Sequence, residues 1–162
     1  MDYLWSPWRY RYLTETPKVQ QCIFCEMVAA NQDEQRLIVH RGELNFVVLN
    51  RFPYTSGHLM VVPYRHVAEL AALNVAEANE MMALVRASEQ HLREIYRPDG
   101  LNVGMNIGES AGAGIAGHIH MHMLPRWTGD ANFMTTVSET RVLPEELPVT
   151  WRRLRTAFAA GS

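Results

Sequence analysis

His118-Ile119-His120-Met121-His122-Met123-Leu124, followed at once by Pro125-Arg126-Trp127, is the stretch on which both fold and chemistry turn. Successive side chains of an extended strand point to opposite faces, which predicts His118, His120 and His122 on one face and Ile119, Met121 and Met123 on the other. The second face suits a core. The first is a row of imidazoles, which titrate near neutrality and serve as nucleophiles, proton carriers and metal ligands. A lone histidine on a strand is ordinarily structural, but three sharing a face are a costly way to build a sheet. Two chemistries fit the row: a catalytic zinc held with a further ligand, or a nucleophilic imidazole oriented by its neighbours.

The preceding loop, Asn106 to Gly117, holds four glycines and three alanines in twelve residues. Such a loop lets backbone amides approach an anion closely. Joined to imidazoles, it favours a phosphate held beside a nucleophile, hence phosphoryl or nucleotidyl transfer over simple metal hydrolysis. Cys22-Ile23-Phe24-Cys25 is the other motif, and its two cysteines are the only ones in the chain. That spacing suits two thiolates on one metal ion or a redox pair, and not a disulfide framework.

Outward from these motifs, 162 residues with 48% hydrophobic and 20% charged content fit a single domain spanning residues 1–162, with a substantial core. A net charge of -2 with no basic run argues against nucleic-acid partners. No stretch has the length of a membrane span or the pattern of a signal peptide, so a cytoplasmic location is the expectation.

Residues 1–18, rich in Trp, Tyr and Arg, read as an arm lying on the domain or on a partner subunit. One or two helical turns are expected over Cys25 to Ala30, ending near Asp33. Leu37 to Val39 and Leu44 to Asn50, around the turn Arg41-Gly42-Glu43, read as a hairpin, and His58 to Val62 as a third strand. Asn74 followed by Glu77 has the form of a capped helix start. Ala78, Met81, Met82, Val85, Leu92 and Ile95 then recur at helical spacing up to Pro98-Asp99-Gly100. Leu101 to Asn106 is a further strand, and Thr150 to Ala160 a short C-terminal helix. The pattern predicts an α+β fold: an antiparallel sheet of about five strands with one long helix. His40 and His91 are expected at the surface.

The run from His118 to Leu124 resembles the motif of the histidine triad nucleotide-binding superfamily. The resemblance extends to Asn50, Gly57-His58, Val62-Pro63 and Pro125-Arg126, and covers roughly Cys22 to Phe133, which defines a core over 22–133 and a tail with its helix over 134–162. The aromatic arm Leu4-Trp5-Ser6-Pro7-Trp8-Arg9 and the run Pro125 to Phe133 are similar to the bacterial diadenosine tetraphosphate phosphorylase branch. The resemblance implies a homodimer joining two sheets, acting on an adenine nucleotide. His120 would attack the α-phosphorus, His122 would contact the phosphate or assist the leaving group, and His58 would hold the nucleophile's tautomer. Asn50 would bind the ribose, Val48 would lie near the adenine, and Asn106, Ser110, Gly112, Gly114 and Trp127 would complete the substrate site. The product would be ADP if inorganic phosphate is the second substrate, or AMP if water is. Hydrolysis of phosphoramidates or adenylylated compounds, and a nucleotide-binding module with little turnover, are the alternatives. The resemblance also implies a structural zinc on Cys22, Cys25, His66 and His118, and no organic cofactor. One departure is visible. Many members carry a Gln or hydroxyl residue in the last turn before the triad, where this chain has Ala113-Gly114-Ile115-Ala116-Gly117, so backbone amides and Ser110 are left to meet the phosphate.

Overall fold

A computed structural model describes residues 22–130 and 145–160, so the expected arm over 1–18 and the tail over 134–144 lie outside the described residues. Helices α1 (Ile23–Ala29) and α2 (Asp33–Arg36) lead into strands β1 (Ile38–Arg41), β2 (Asn45–Leu49) and β3 (Leu59–Pro63). Then come helix α3 (Val75–Tyr96), strands β4 (Gly100–Gly104) and β5 (Met121–Arg126), and helix α4 (Leu147–Ala160). The five strands form one antiparallel sheet in the order β1-β2-β3-β5-β4. This is the expected α+β architecture.

Side-chain alternation divides β2 between two layers. The Asn45 amide donates to the Glu77 carbonyl and to Glu80 Oε2 of α3, so Asn45, Val47 and Leu49 face the long helix. Phe46 meets the Phe24 ring of α1 edge-on at 6.5 Å, so Phe46 and Val48 face α1. Both sides are covered, which is why every residue of β2 and β3 is buried. The register then carries the α1 face across the sheet, from Val48 to Met60 and from Met60 to His122.

The long helix starts where its sequence says it should. Asn74 Oδ1 accepts from the Glu77 amide, and the Glu77 carboxylate accepts from the Asn74 amide, a reciprocal capping box. Arg97 in the left-handed region ends the helix ahead of Pro98. One turn in, Glu80 accepts from the amides of Glu43 and Leu44 and pins the β1–β2 turn. Gly42 is required there by space, since a Cβ would lie 2.7 Å from Glu80 Oε1.

Several expectations are corrected. Met82 is 50% exposed, and Leu84 takes its place in the buried stripe. His40 and His91 are half-buried and not fully at the surface: both rings pack on Phe158 of α4, at 5.0 and 4.6 Å. Helix α1 begins at Ile23, a short helix occupies Asp33–Arg36, and α4 starts at Leu147 with Pro148 in its first turn, where a missing N–H costs nothing. Strands β3 and β4 are displaced by a residue or more from their expected ends. The histidine strand is also shorter than its pattern suggests. It begins at Met121, with His118 in a bend. Continuing the β3–β5 ladder would set Ile119 opposite Pro63, which has no N–H to give. Ile119 instead donates to the Val67 carbonyl at 2.8 Å.

Candidate active site

The loop after β2 delivers His58 to the site. Gly57 there has φ +78°, and a Cβ on it would meet Tyr96, Leu92 and Pro125 at 3.1 to 3.2 Å. Only glycine satisfies both conditions, and the residue after it, His58, is fully buried. The Tyr54 amide donates to His58 Nδ1 at 3.2 Å. That nitrogen is therefore unprotonated, and the neutral ring carries its proton on Nε2. His58 Nε2 lies 2.9 Å from His122 Nδ1 and donates to it, leaving His122 with Nε2–H as its remaining donor. The direction of every bond in this chain follows from one backbone amide.

His120 is set the opposite way. Its Nδ1 lies 2.9 Å from the His118 carbonyl oxygen, which only accepts, so Nδ1 carries the proton and Nε2 keeps a free lone pair. The His120 and His122 rings meet nearly edge-on with centroids 4.7 Å apart. A basic nitrogen and an N–H donor thus belong to adjoining rings.

These rings stay uncharged. Burial, then the neighbouring His122 and His120 rings, hold His58 down to about 3. Burial, then His120, hold His122 down to about 4, and burial lowers His120 as well. An imidazole that resists protonation keeps its lone pair. Unfolded imidazoles take up protons near 6.5, whereas these two do so only near 3 and 4. The unfolded chain therefore binds more protons between those limits, and stability should fall as pH drops through that window. Ring nitrogen-15 spectra at pH 6 are expected to show His58 and His122 neutral; a charged His122 at that pH would refute the hydrogen-bond directions above.

A second cluster adjoins the first through His118. Its Nε2 donates to the Pro63 carbonyl at 2.8 Å, which leaves Nδ1 unprotonated, 3.3 Å from Cys22 Sγ and 3.8 Å from Cys25 Sγ. His66 Nδ1 lies 3.6 Å from Cys25 Sγ, and the four donor atoms of Cys22, Cys25, His66 and His118 all fall within 4.8 Å of one another. Tetrahedral zinc with two sulfur and two nitrogen ligands sets its donors about 3.3 to 3.8 Å apart. The donor set fits such an ion. The carbonyl behind His118 is the outer-shell partner that fixes a ligand tautomer. Burial, then Cys22, push the Cys25 thiol up, a strain on the thiolate that a bound cation would relieve.

The remaining predicted residues are placed less uniformly. Asn50 is half-buried, and its Oδ1 accepts from the Phe52 amide, so its side chain offers Nδ2 outward. Asn106 is half-buried after β4, and Ser110 is exposed in the short turn Glu109–Ala111. Three further residues are placed as follows. The amides of Gly112 and Ala113 donate to the Glu109 and Gly108 carbonyls, so these two are engaged within the loop itself, and among the described residues no such bond engages the amides from Gly114 to Gly117. Val48 is buried in the middle of β2. Trp127 follows the far end of β5, roughly 16 Å from His122 at the rise of a strand. Tyr54, Phe24 and the carbonyls of Pro63 and His118 were not singled out by sequence. Carbonyls have no residue signature, whereas Phe24 lies inside a motif already read for its cysteines.

Buried histidines relayed to one another beside a free imidazole nitrogen, on the antiparallel sheet described above, define a histidine triad domain. The HIT domain family model matches residues 31–129, and the chain belongs to that family. It is 43% identical to the AP-4-A phosphorylase of Mycobacterium tuberculosis, over 96% of this chain and 84% of that protein. It is 26% identical to the asymmetrical bis(5'-nucleosyl)-tetraphosphatase of Schizosaccharomyces pombe, over 77% of this chain and 65% of that one. Among solved structures, a zinc-bound histidine triad family protein from Mycobacterium smegmatis superposes with a TM-score of 0.70 at 28% identity, covering 86% of this chain and 94% of that chain.

Proposed function

We propose that this chain is an enzyme of nucleotidyl transfer on dinucleoside polyphosphates, with His120 as nucleophile. The observation that carries this reading is the His120 tautomer: Nδ1–H given to the His118 carbonyl, and Nε2 free beside the donor-bearing His122. With diadenosine tetraphosphate, Nε2 attacks an α-phosphorus, the N–P bond forms, and the P–O bond to the polyphosphate breaks to release ATP. Positive charge grows on the imidazole as it does so, and the carbonyl held against Nδ1–H stabilises that charge. The His122 Nε2–H serves a phosphate oxygen or the leaving group. The loop amides from Gly114 to Gly117, with Asn106 and Ser110, take the phosphate charge where other members use a side chain. Asn50 takes the ribose. The nucleotidyl-histidine then passes its AMP to phosphate, giving ADP, or to water, giving AMP. The phosphorylase and tetraphosphatase relatives support the substrate class.

Zinc on Cys22, Cys25, His66 and His118 would be structural, since protein fills all four positions, and would cross-link α1 to the residues before β5. The zinc-bound relative supports this assignment. We infer a homodimer joined through the sheet, which the exposed edge strand β4 supports. Among the described residues no helix is long and apolar enough to cross a membrane, and a cytoplasmic location fits the nucleotide substrate.

Incubation with diadenosine tetraphosphate, with and without inorganic phosphate, tests the reaction. ADP plus ATP formed only with phosphate is the expected result. AMP plus ATP formed regardless of phosphate would make the enzyme a hydrolase, and absence of turnover would overturn the enzymatic reading.

A further inference from the structure

The two imidazoles of the metal cluster are held in different ways. His118 gives its Nε2–H to the Pro63 carbonyl at 2.8 Å, so an outer-shell oxygen fixes both its tautomer and its direction. His66 is exposed, and among the described residues no carbonyl or carboxylate backs its Nε2. The direction of that ring has to come from the main chain on either side, and both sides are tied down. After it, the Val67 carbonyl accepts from the Ile119 amide at 2.8 Å. Before it, Arg65 donates Nε–H to Glu77 Oε1 at 2.8 Å, and its Nη2 donates to Glu77 Oε2 and the Ala72 carbonyl, both at 2.6 Å. Glu77 is 4% exposed, and its Oε2 also accepts from the Asn74 amide as the cap of α3. The Arg65 side chain is 48% exposed, so as an ion pair it adds little to stability. As a two-pronged contact on a buried carboxylate it fixes direction as well as distance, one residue away from a metal-facing imidazole.

We propose that Arg65 and Glu77 are positioning residues for a zinc ion on Cys22, Cys25, His66 and His118, acting through the backbone of His66. The inference rests on the reading of those four residues as the ligand set, and its test separates the two. Without the Arg65–Glu77 contact the His66 ring is free to leave its place 3.6 Å from Cys25 Sγ. A ligand that has to be ordered as the ion binds costs conformational freedom, which registers as weaker binding. The cysteines on α1 and His118 on the Pro63 carbonyl keep their own supports. Any loss should therefore appear only while His66 is present to be positioned.

The experiment measures zinc affinity by competition with a chromophoric chelator, using the full-length chain. It compares wild type, Arg65→Met, Glu77→Gln and His66→Ala, with Arg65→Met and Glu77→Gln each also combined with His66→Ala. Cobalt(II) absorption of the same proteins reports the ligand geometry, and the thermal midpoint of each zinc-free protein reports the fold. Arg65→Met is expected to weaken zinc binding about tenfold and to shift the cobalt bands, with the zinc-free midpoint within about 3 °C of wild type. In the His66→Ala background the same substitution should change zinc affinity by less than about twofold, because the pair acts only through that ligand. Glu77→Gln keeps an oxygen for the Asn74 amide and loses the two-pronged contact, so it should match Arg65→Met in both backgrounds, and it decides if Arg65→Met does not fold. Wild-type zinc affinity in both variants, or an equal loss with and without His66, would overturn the inference. Wild-type affinity in His66→Ala would instead overturn the ligand set itself, whatever the Arg65 and Glu77 variants do.

Discussion

Replacing His120 by alanine is expected to lower turnover of diadenosine tetraphosphate by about four orders of magnitude or more, the scale at which loss of a covalent nucleophile registers. No other imidazole in the site can take over. His58 Nε2 is committed to His122, and His122 Nδ1 to His58. The lone pair of His58 Nδ1 accepts from the Tyr54 amide, and His118 gives its Nε2–H to the Pro63 carbonyl while its Nδ1 faces the thiols. Among the described residues, His120 Nε2 is the one ring nitrogen of the triad that is both unprotonated and uncommitted. Substrate affinity should change little, because ribose and phosphate contacts come from Asn50, Asn106 and the loop amides. The decisive measurements are single-turnover kinetics with denaturing gels for the labelled nucleotidyl-enzyme, and calorimetry for substrate binding. A labelled adduct still formed by His120→Ala would assign the nucleophile elsewhere.

The capped helix, the hairpin and the strand order around it were legible because each rests on local physics. Asn74 and Glu77 cap one another at a spacing visible in sequence, and Gly42 and Gly57 mark turns that no other residue enters. The misread features depend on partners far along the chain. Met82 and Leu84 lie two positions apart, on nearly opposite sides of the helix, and packing against the rest of the fold covers Leu84 and leaves Met82 exposed. His40 and His91 look like polar surface residues until Phe158, delivered by a helix more than sixty residues on, covers one side of each. The shortening of β5 has the same origin, since Pro63 on β3 ends the ladder that Ile119 would have joined. Within the site, the residue types were legible and the directions of the hydrogen bonds were not. What separates three similar imidazoles into a nucleophile, a donor and a metal-facing ring is a set of backbone groups: the Tyr54 amide and the carbonyls of Pro63 and His118.

Cys22→Ser is the variant expected to cost most in stability. Helix α1 has seven residues and no side-chain cap, and so short a helix does not hold itself together in water. Ordering seven residues costs about 1 to 2 kcal/mol each, roughly 7 to 14 kcal/mol in total. Its two buried side chains, Phe24 and Met27, return about 1.5 to 3 kcal/mol each. With its backbone hydrogen bonds at about 1 kcal/mol apiece, these gains no more than balance the cost, so the helix is marginal on its own and a cross-link would decide whether it stays in place. Zinc on Cys22, Cys25, His66 and His118 would be that cross-link. Losing it should cost on the scale of a removed native disulfide, about 2 to 5 kcal/mol, and lower the thermal midpoint of a chain this size by about 10 °C. The variant should carry little zinc, and its amides from Cys22 to Ala30 should lose protection against hydrogen exchange. A chelator should reproduce both changes in wild type and do nothing further to Cys22→Ser. Zinc content equal to wild type would remove Cys22 from the ligand set, and zinc lost without loss of protection would mean that α1 is held by its apolar face alone.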